Sequence, residues 1–264
     1  MTKRRLDVVL TDRGLLPSRE QARAAVLAGR VSVDGAVVTK AGSPVAEDAA
    51  LLVAEAPEYV SRGGHKLAGA LEAFGVDVAG ARALDVGAST GGFTDCLLKR
   101  GASSVTAVDV GYGQLAWSLR CDERVQVLER TNIRNADPAL LGPAFDLVVI
   151  DVSFISLAKV LPGLADYLAE QGDLLALVKP QFEVGKGRVG KKGVVREPAL
   201  HQEVLETMVE SAIGLGWVVR GLTWSPIKGP EGNIEFWTWL ARGGDATPDT
   251  PAEVVAAAHE ALGV

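Results

Sequence analysis

Two sets of residues in this 264-residue chain could do chemistry. The first is a glycine-rich run, Leu84-Asp85-Val86-Gly87-Ala88-Ser89-Thr90-Gly91-Gly92-Phe93-Thr94, entered from an apolar stretch at Ala81 and left through an amphipathic one ending at Arg100. It reads as a buried strand, a tight loop and a helix start. Glycines there let the backbone approach a ligand closely, and the helix N-terminus adds N–H groups without an intrahelical partner. The spacing is Gly-x-x-x-Gly-Gly, which departs from the Gly-x-Gly-x-x-Gly of dinucleotide-binding turns. The second set is Lys66, Asp151, Lys179 and Glu235, lysines and carboxylates placed in apolar surroundings. Such groups are costly to bury unless they pair. Burial and a second cation favour the neutral amine of such a lysine, the form that accepts a proton, while the two carboxylates pull the other way and fix its position.

These residues need elements to position them. From residue 81 the pattern alternates strand and helix, with candidate strands at 81–86, 104–109, 125–129, 145–150, 173–178, 217–224 and 233–240. Helical stretches lie between most of them, for example 155–168 and 198–215, but none separates the last two strands. The pattern predicts a doubly wound α/β sheet of seven strands. Ligands in such sheets sit beyond the carboxyl ends of the strands, where Asp85, Asp109, Asp151 and Lys179 all fall. Lys66 opens a helix before the first strand, and Glu235 is expected in the last one.

The first sixty residues form a separate pattern. Leu6, Val9 and Leu10 recur at helical spacing. Ser18 and Gln21 read as a capping box; Ala22, Ala25 and Val26 give a second apolar face, and Gly29 ends that helix. Val31, Val33, Val37 and Val38 alternate around Asp34-Gly35, a hairpin signal. The predicted organisation is a small α+β domain over 1–56, a linker over 57–62, the α/β domain over 63–242, and a linker with a terminal helix over 243–264.

Composition narrows the classes. The chain is 48% apolar with thirty glycines, which suits a turn-rich α/β core. The N-terminus is basic but lacks an apolar signal region, and no run approaches the ~18 apolar residues of a membrane span. Cys96 and Cys121 show no metal or redox spacing, so no metal is expected and the thiols are read as reduced, in a cytoplasmic protein. Net charge is −6, yet residues 1–40 carry eight basic side chains against four acidic ones, a local +4. A patch of that kind matters more for polyanion binding than the total.

The runs Arg5-Leu6-Asp7, Ser18-Arg19-Glu20-Gln21-Ala22 and Gly29-Arg30-Val31-Ser32-Val33-Asp34-Gly35 resemble the S4 RNA-binding domain. The Asp85–Thr94 loop resembles the first motif of S-adenosylmethionine (AdoMet)-dependent methyltransferases, whose Rossmann-like sheet has seven strands. That resemblance assigns Asp85, Gly87, Ala88, Ser89, Thr90, Gly91, Gly92 and Phe93 to the cofactor, with Asp151 beside them. It places Asp109 on the ribose diol, the alternative being a turn cap before Gly111, and Asn132 beside the adenine. The order Lys66–Asp151–Lys179–Glu235 resembles the tetrad of RNA ribose 2′-O-methyltransferases of the RrmJ/fibrillarin type, with Lys179 holding the ribose hydroxyl and either deprotonating it or orienting and stabilising its oxygen.

Together with Ser61-Arg62-Gly63-Gly64-His65-Lys66-Leu67, Gly111-Tyr112-Gly113-Gln114-Leu115-Ala116-Trp117 and Lys179-Pro180-Gln181-Phe182-Glu183-Val184-Gly185-Lys186, these features identify a member of the TlyA (hemolysin A) family. The resemblance implies 2′-O-methylation of cytidine in 16S and 23S ribosomal RNA and an influence on capreomycin and viomycin susceptibility. Its partners are then ribosomal RNA and ribosomal subunits, with no membrane and a monomer expected. The linker departs from the family: Pro57-Glu58-Tyr59-Val60 stands where the dual-substrate branch has Arg-Ala-Trp-Val. Expected RNA contacts are Arg4, Arg5, Arg19 and Arg23 in the small domain, Arg62, and the basic loop with Lys186, Arg188, Lys191 and Lys192. Phe154 either stacks on a base beside the target ribose or packs in the core.

Other methyl acceptors fit less well. Asp151-Val152-Ser153-Phe154 lacks the paired prolines of adenine N6 enzymes, and neither cysteine is placed as the nucleophile that C5-pyrimidine enzymes need. The rival readings are a non-catalytic RNA- or ribosome-binding protein and a membrane-lytic protein.

Overall fold

The computed structural model describes residues 3–142, 144–185, 187–246 and 249–263. They divide into two units, Met1–Glu58 and Tyr59–Val264. Among the described residues no helix is long and apolar enough to cross a membrane.

In the smaller unit β1 (Lys3–Arg5) runs directly into α1 (Leu6–Asp12). Then α2 (Arg19–Leu27) starts at Ser18, whose hydroxyl accepts the Gln21 N–H at 3.2 Å. β2 (Val31–Val33) and β3 (Ala36–Val37) form the expected hairpin. Asp34 and Gly35 take φ of 50° and 83°, the left-handed pair that such a two-residue turn requires. β4 (Pro44–Ala46) pairs with β1, and β5 (Leu51–Val53) with β2. Leu6, Leu10, Ala22, Val26 and Val31 are fully buried between helices and strands. The pairing of β1 was not foreseen, because Lys3-Arg4-Arg5 shows no apolar alternation.

The larger unit opens with α3 (Gly63–Phe74), followed by β6 (Arg82–Val86), α4 (Gly92–Lys99), β7 (Ser104–Val108), α5 (Trp117–Arg120) and β8 (Val125–Leu128). After α6 (Pro138–Leu141) come β9 (Phe145–Ile150), β10 (Leu168–Val178), α7 (Pro180–Glu183), α8 (Pro198–Gly214), β11 (Val218–Trp224), β12 (Phe236–Ala241) and α9 (Pro251–Leu262). One seven-stranded sheet results, in the order β11-β12-β10-β9-β6-β7-β8. Only β12 is antiparallel to its neighbours. Side chains alternate along each strand, so both faces of the sheet are apolar. Leu147 and Val149 join Leu67 and Leu97 under α3 and α4. Val148 and Ile150 join Leu205 and Val255 under α8 and α9. Each such side chain contributes about 1.5–3 kcal/mol by leaving water. Strand order reverses between β6 and β9, which opens a crevice beyond their carboxyl ends.

Three expectations are corrected. The stretch 155–168 is not a helix: it holds two 3-10 turns, Leu157–Lys159 and Leu164–Tyr167, because Pro162 disfavours helical backbone before it and Gly163 takes φ 84°. Glu235 precedes the last strand, with its carbonyl accepting the Ser225 N–H at 2.8 Å. Tyr59, expected in a linker, is buried in the core of the larger unit. A Cβ on Gly64 would lie 2.1 Å from the Tyr59 ring, so the two residues interlock.

Candidate active site

The glycine loop between β6 and α4 is shaped by close approach. Gly87 has φ 87°, and a Cβ there would fall 2.4 Å from the Asp151 carbonyl oxygen. At Gly92 a Cβ would meet Ser61 Oγ at 2.2 Å. Behind the loop, Asp85 Oδ2 accepts the Thr94 N–H at 3.0 Å and its hydroxyl at 2.7 Å, while Oδ1 is buried with no partner. Burial pushes the Asp85 carboxyl up to about 7; the Thr94 bonds oppose the shift, and the charges of Asp151 and Asp109 add to it.

Three cavities meet at Asp151. One, of about 400 Å³, is lined by Gly87, Ala88, Ser89, Thr90, Gly92 and Phe93 together with Arg62 and Lys66. A second, of about 520 Å³, is lined by Asp109, Asn132, Ser153 and Phe154. The third, of about 500 Å³, holds Lys66, Lys179, Glu235, Phe182 and Lys192. Asp151 lines all three. Asp109 joins the adjoining loops: its Oδ2 accepts the Ser89 N–H at 2.7 Å and its Oδ1 the Gly111 N–H at 2.6 Å. The turn-capping role therefore exists alongside its place on the cavity wall. Asn132, expected beside the adenine, accepts the Arg134 N–H through Oδ1 at 3.1 Å and so caps the turn Ile133–Asn135.

The four ionisable residues of the sequence pattern come together as two ion pairs. Lys66 Nζ, from α3, donates to Glu235 Oε2 at 2.5 Å, with both side chains buried. Lys179 Nζ, just past β10, lies 2.5 Å from Asp151 Oδ1, just past β9. Burial raises the Glu235 carboxyl above its ordinary value, against the pull of Lys66 and Lys179. Pairing offsets desolvation for both lysines, and it leaves both side chains on the wall of the third cavity, of about 500 Å³.

Further residues hold this arrangement and were not foreseen. Lys179 Nζ also donates to Ser153 Oγ at 2.9 Å. Buried Asn233 accepts the Val195 N–H through Oδ1 and donates through Nδ2 to the Gly193 carbonyl, each at 2.9 Å. It thereby fixes the basic loop against the segment bearing Glu235. Gly229 leaves room for that carboxylate: a Cβ would lie 2.7 Å from Glu235 Oε1. Serine and asparagine in loops are too common for spacing to mark these two.

The expected RNA-facing residues divide. Phe154 is 90% exposed, with φ 65°, and its ring centroid lies 5.1 Å from that of Phe182. The core-packing alternative for it therefore falls. Lys192 (φ 60°) lines the third cavity. Arg62 donates to the Lys228 carbonyl at 2.5 Å. Arg188, an expected RNA contact, is held by Glu203 of α8 through two contacts, at 2.5 and 2.6 Å. Lys186 and the side chain of Lys191 lie outside the described residues. In the smaller unit Arg4 is paired with Asp12 and Glu47, so nearby carboxylates offset its charge. Fully buried Asp7 accepts from Arg5 Nε at 3.0 Å and from Arg19 at 3.3 Å, while both arginine side chains stay more than half exposed. Arg23 is exposed, with no ion pair among the described residues.

Comparison with known proteins supplies context for this geometry. Residues 59–242 match the FtsJ-like methyltransferases, and residues 4–51 match the S4 domain. The chain is 53% identical over 238 residues to the 16S/23S rRNA (cytidine-2′-O)-methyltransferase TlyA of Mycobacterium tuberculosis, covering 89% of each. It is 40% identical over 233 residues to hemolysin A of Brachyspira hyodysenteriae, covering 88% of this chain and 97% of that one. A solved structure of a protein described as a hemolysin from Streptococcus thermophilus superposes with a TM-score of 0.75 at 44% identity, covering 100% of this chain and 98% of the other.

Proposed function

Because the chain belongs to the FtsJ-like methyltransferases and to their TlyA family, we infer that it transfers a methyl group from AdoMet to the ribose 2′-hydroxyl of cytidine in ribosomal RNA. The observation that carries the reading is the convergence of Lys66–Glu235 and Lys179–Asp151 at the meeting point of three cavities. The residues present fit AdoMet. Gly87 and Gly92 let the loop lie against Asp151 and Ser61, where a Cβ would collide; the loop so placed lines the first cavity, and Asp85 behind it keeps an unpartnered carboxylate oxygen. Gly87, Ala88, Ser89, Thr90, Gly91, Gly92 and Phe93 would hold the amino-acid end, with Asp109 and Asn132 on the adenosine side. When bound, AdoMet supplies an activated methyl group on a sulfonium.

Everything else is the work of the chain. Lys179 holds the acceptor hydroxyl and takes its proton as the new bond forms. Asp151 fixes that amine, and the Lys66–Glu235 pair fixes the far wall. Phe154 and Phe182 offer aromatic faces for a nucleotide swung out of its helix, at a cost of a few kcal/mol for unstacking. Arg5, Arg19 and Arg23, with Lys192, supply cations for the RNA backbone. The substrate we propose is ribosomal RNA of the small and large subunits, met in the cytoplasm.

The test is tritiated-methyl transfer from AdoMet to purified ribosomal subunits and to naked ribosomal RNA lacking the modification, read by nuclease digestion and mass spectrometry. The expected product is 2′-O-methylcytidine, lost in Lys179→Ala while AdoMet affinity stays within a few-fold of wild type. A base-methylated product, or full activity in Lys179→Ala, would overturn the mechanism.

A further inference from the structure

Lys179 has two partners among the described residues, the Asp151 carboxylate at 2.5 Å and the Ser153 hydroxyl at 2.9 Å. Of the three cavities it lines only the one shared with Phe182 and Glu235. A charged lysine has three N–H donors; the neutral amine has two and a lone pair. Two acceptors leave one position on the nitrogen uncommitted, and Lys179 lines the cavity in which the acceptor nucleotide is proposed to sit.

The segment carrying Ser153 is itself anchored. The Asp151 N–H donates to the Val86 carbonyl at 2.9 Å, and the Leu157 N–H to Glu183 Oε1 at 2.9 Å. Phe154 takes the left-handed conformation at φ 65°, unfavourable for an aromatic residue and sustained only where neighbours hold it. Ser153 is thus a placed hydroxyl on the boundary between the second and third cavities.

We propose that Ser153 is a positioning residue for methyl transfer, engaging one N–H of Lys179 so that the nitrogen's remaining position is turned to the acceptor hydroxyl. The inference rests on the reading of Lys179 as the group that handles the 2′-hydroxyl. In the transfer Lys179 starts as the neutral amine, with its two N–H groups on Asp151 and Ser153; the O–H bond breaks and its proton passes to the Nζ lone pair. The oxygen forms the bond to the methyl carbon, and the C–S electron pair returns to sulfur, leaving a neutral thioether. Without Ser153 the amine keeps its contact with Asp151 but can rotate about it. The reacting atoms then lose alignment, which costs rate and not affinity.

The test compares wild type, Ser153→Ala and Ser153→Thr as full-length chains on the same ribosomal RNA, with kcat, KM for RNA and Kd for AdoMet measured separately. Ser153→Ala is expected to lower kcat about tenfold, with KM and Kd within twofold and an unchanged melting temperature. Ser153→Thr, which keeps the hydroxyl, should restore most of the rate. A kcat in Ser153→Ala within twofold of wild type would overturn the proposal. So would a loss confined to KM, or an equal loss in both variants. Absence of 2′-O-methylcytidine with wild type would instead remove the functional reading, and this inference with it.

Discussion

Asp85 joins the loop backbone to its electrostatics. One oxygen is hydrogen-bonded twice to Thr94; the other is buried and unpartnered, and burial holds the carboxyl up near about 7. A cation bound over the loop favours the ionised form. Below that value a proton must leave before the charge can be matched; above it none is bound. AdoMet affinity should therefore rise by up to about tenfold between pH 6 and pH 8. Titration calorimetry at the two pH values checks this, and Asp85→Asn should flatten the difference. An equally steep dependence in that variant would transfer the effect to another group. The glycine spacing announced a ligand loop at this place, but the orphaned oxygen behind it was not legible, because whether Thr94 satisfies one oxygen or both depends on how α4 is seated.

At the scale of elements, two junctions invite measurement. Gly64 in α3 packs against the ring of Tyr59, where a Cβ would lie 2.1 Å away. Gly64→Ala should cost about 1–3 kcal/mol of stability by overpacking, read from urea denaturation; a neutral result would mean that Tyr59 is free to move aside. The second junction ties α9 to α8. His201 Nε2 faces the Val195 carbonyl at 3.2 Å, and a carbonyl only accepts, so that nitrogen carries the proton. His201 Nδ1 then accepts from His259 Nε2 at 2.9 Å. Burial and the neighbouring His259 lower His201 from 6.5 to about 4, and burial lowers His259 as well. The fold favours neutral imidazole, so the stability linked to it is present above about pH 6.5 and is lost as pH falls toward about 4. Melting temperatures across that window should drop in wild type and drop less in His201→Gln. No difference between the two would show that the histidines do not couple α9 to the core. Neither junction could be read from sequence: histidines 58 positions apart carry no periodicity, and a glycine in a helix does not name what it touches.

On the scale of the whole molecule, the residues expected to grip RNA fall in both units, Met1–Glu58 and Tyr59–Val264, whereas those expected to transfer the methyl group fall in the second alone. Arg19 belongs to the first, where buried Asp7 orients it. Arg19→Ala or Arg23→Ala should weaken RNA binding and reduce the slope of log affinity against log salt by about 1. AdoMet affinity should not change, since the cofactor residues lie in the other unit. Unchanged RNA affinity at two salt concentrations would count against the smaller unit as an RNA grip.

The sequence by itself determined the periodic and the local: alternating apolar strands, the Asp34-Gly35 hairpin, the Ser18 cap and the glycine loop, each governed by backbone geometry within a few residues. It also marked Lys66, Asp151, Lys179 and Glu235 as costly charges that had to pair. Tertiary structure alone decided how they pair, Lys66 with Glu235 and Lys179 with Asp151. It alone brought Ser153 and Asn233 to them, placed Glu235 just outside its strand, and engaged Arg188 and Arg4 with carboxylates. Those outcomes depend on which strand ends become neighbours, and sheet order is set by burial of both faces together, a property of the assembled layers that no local spacing encodes.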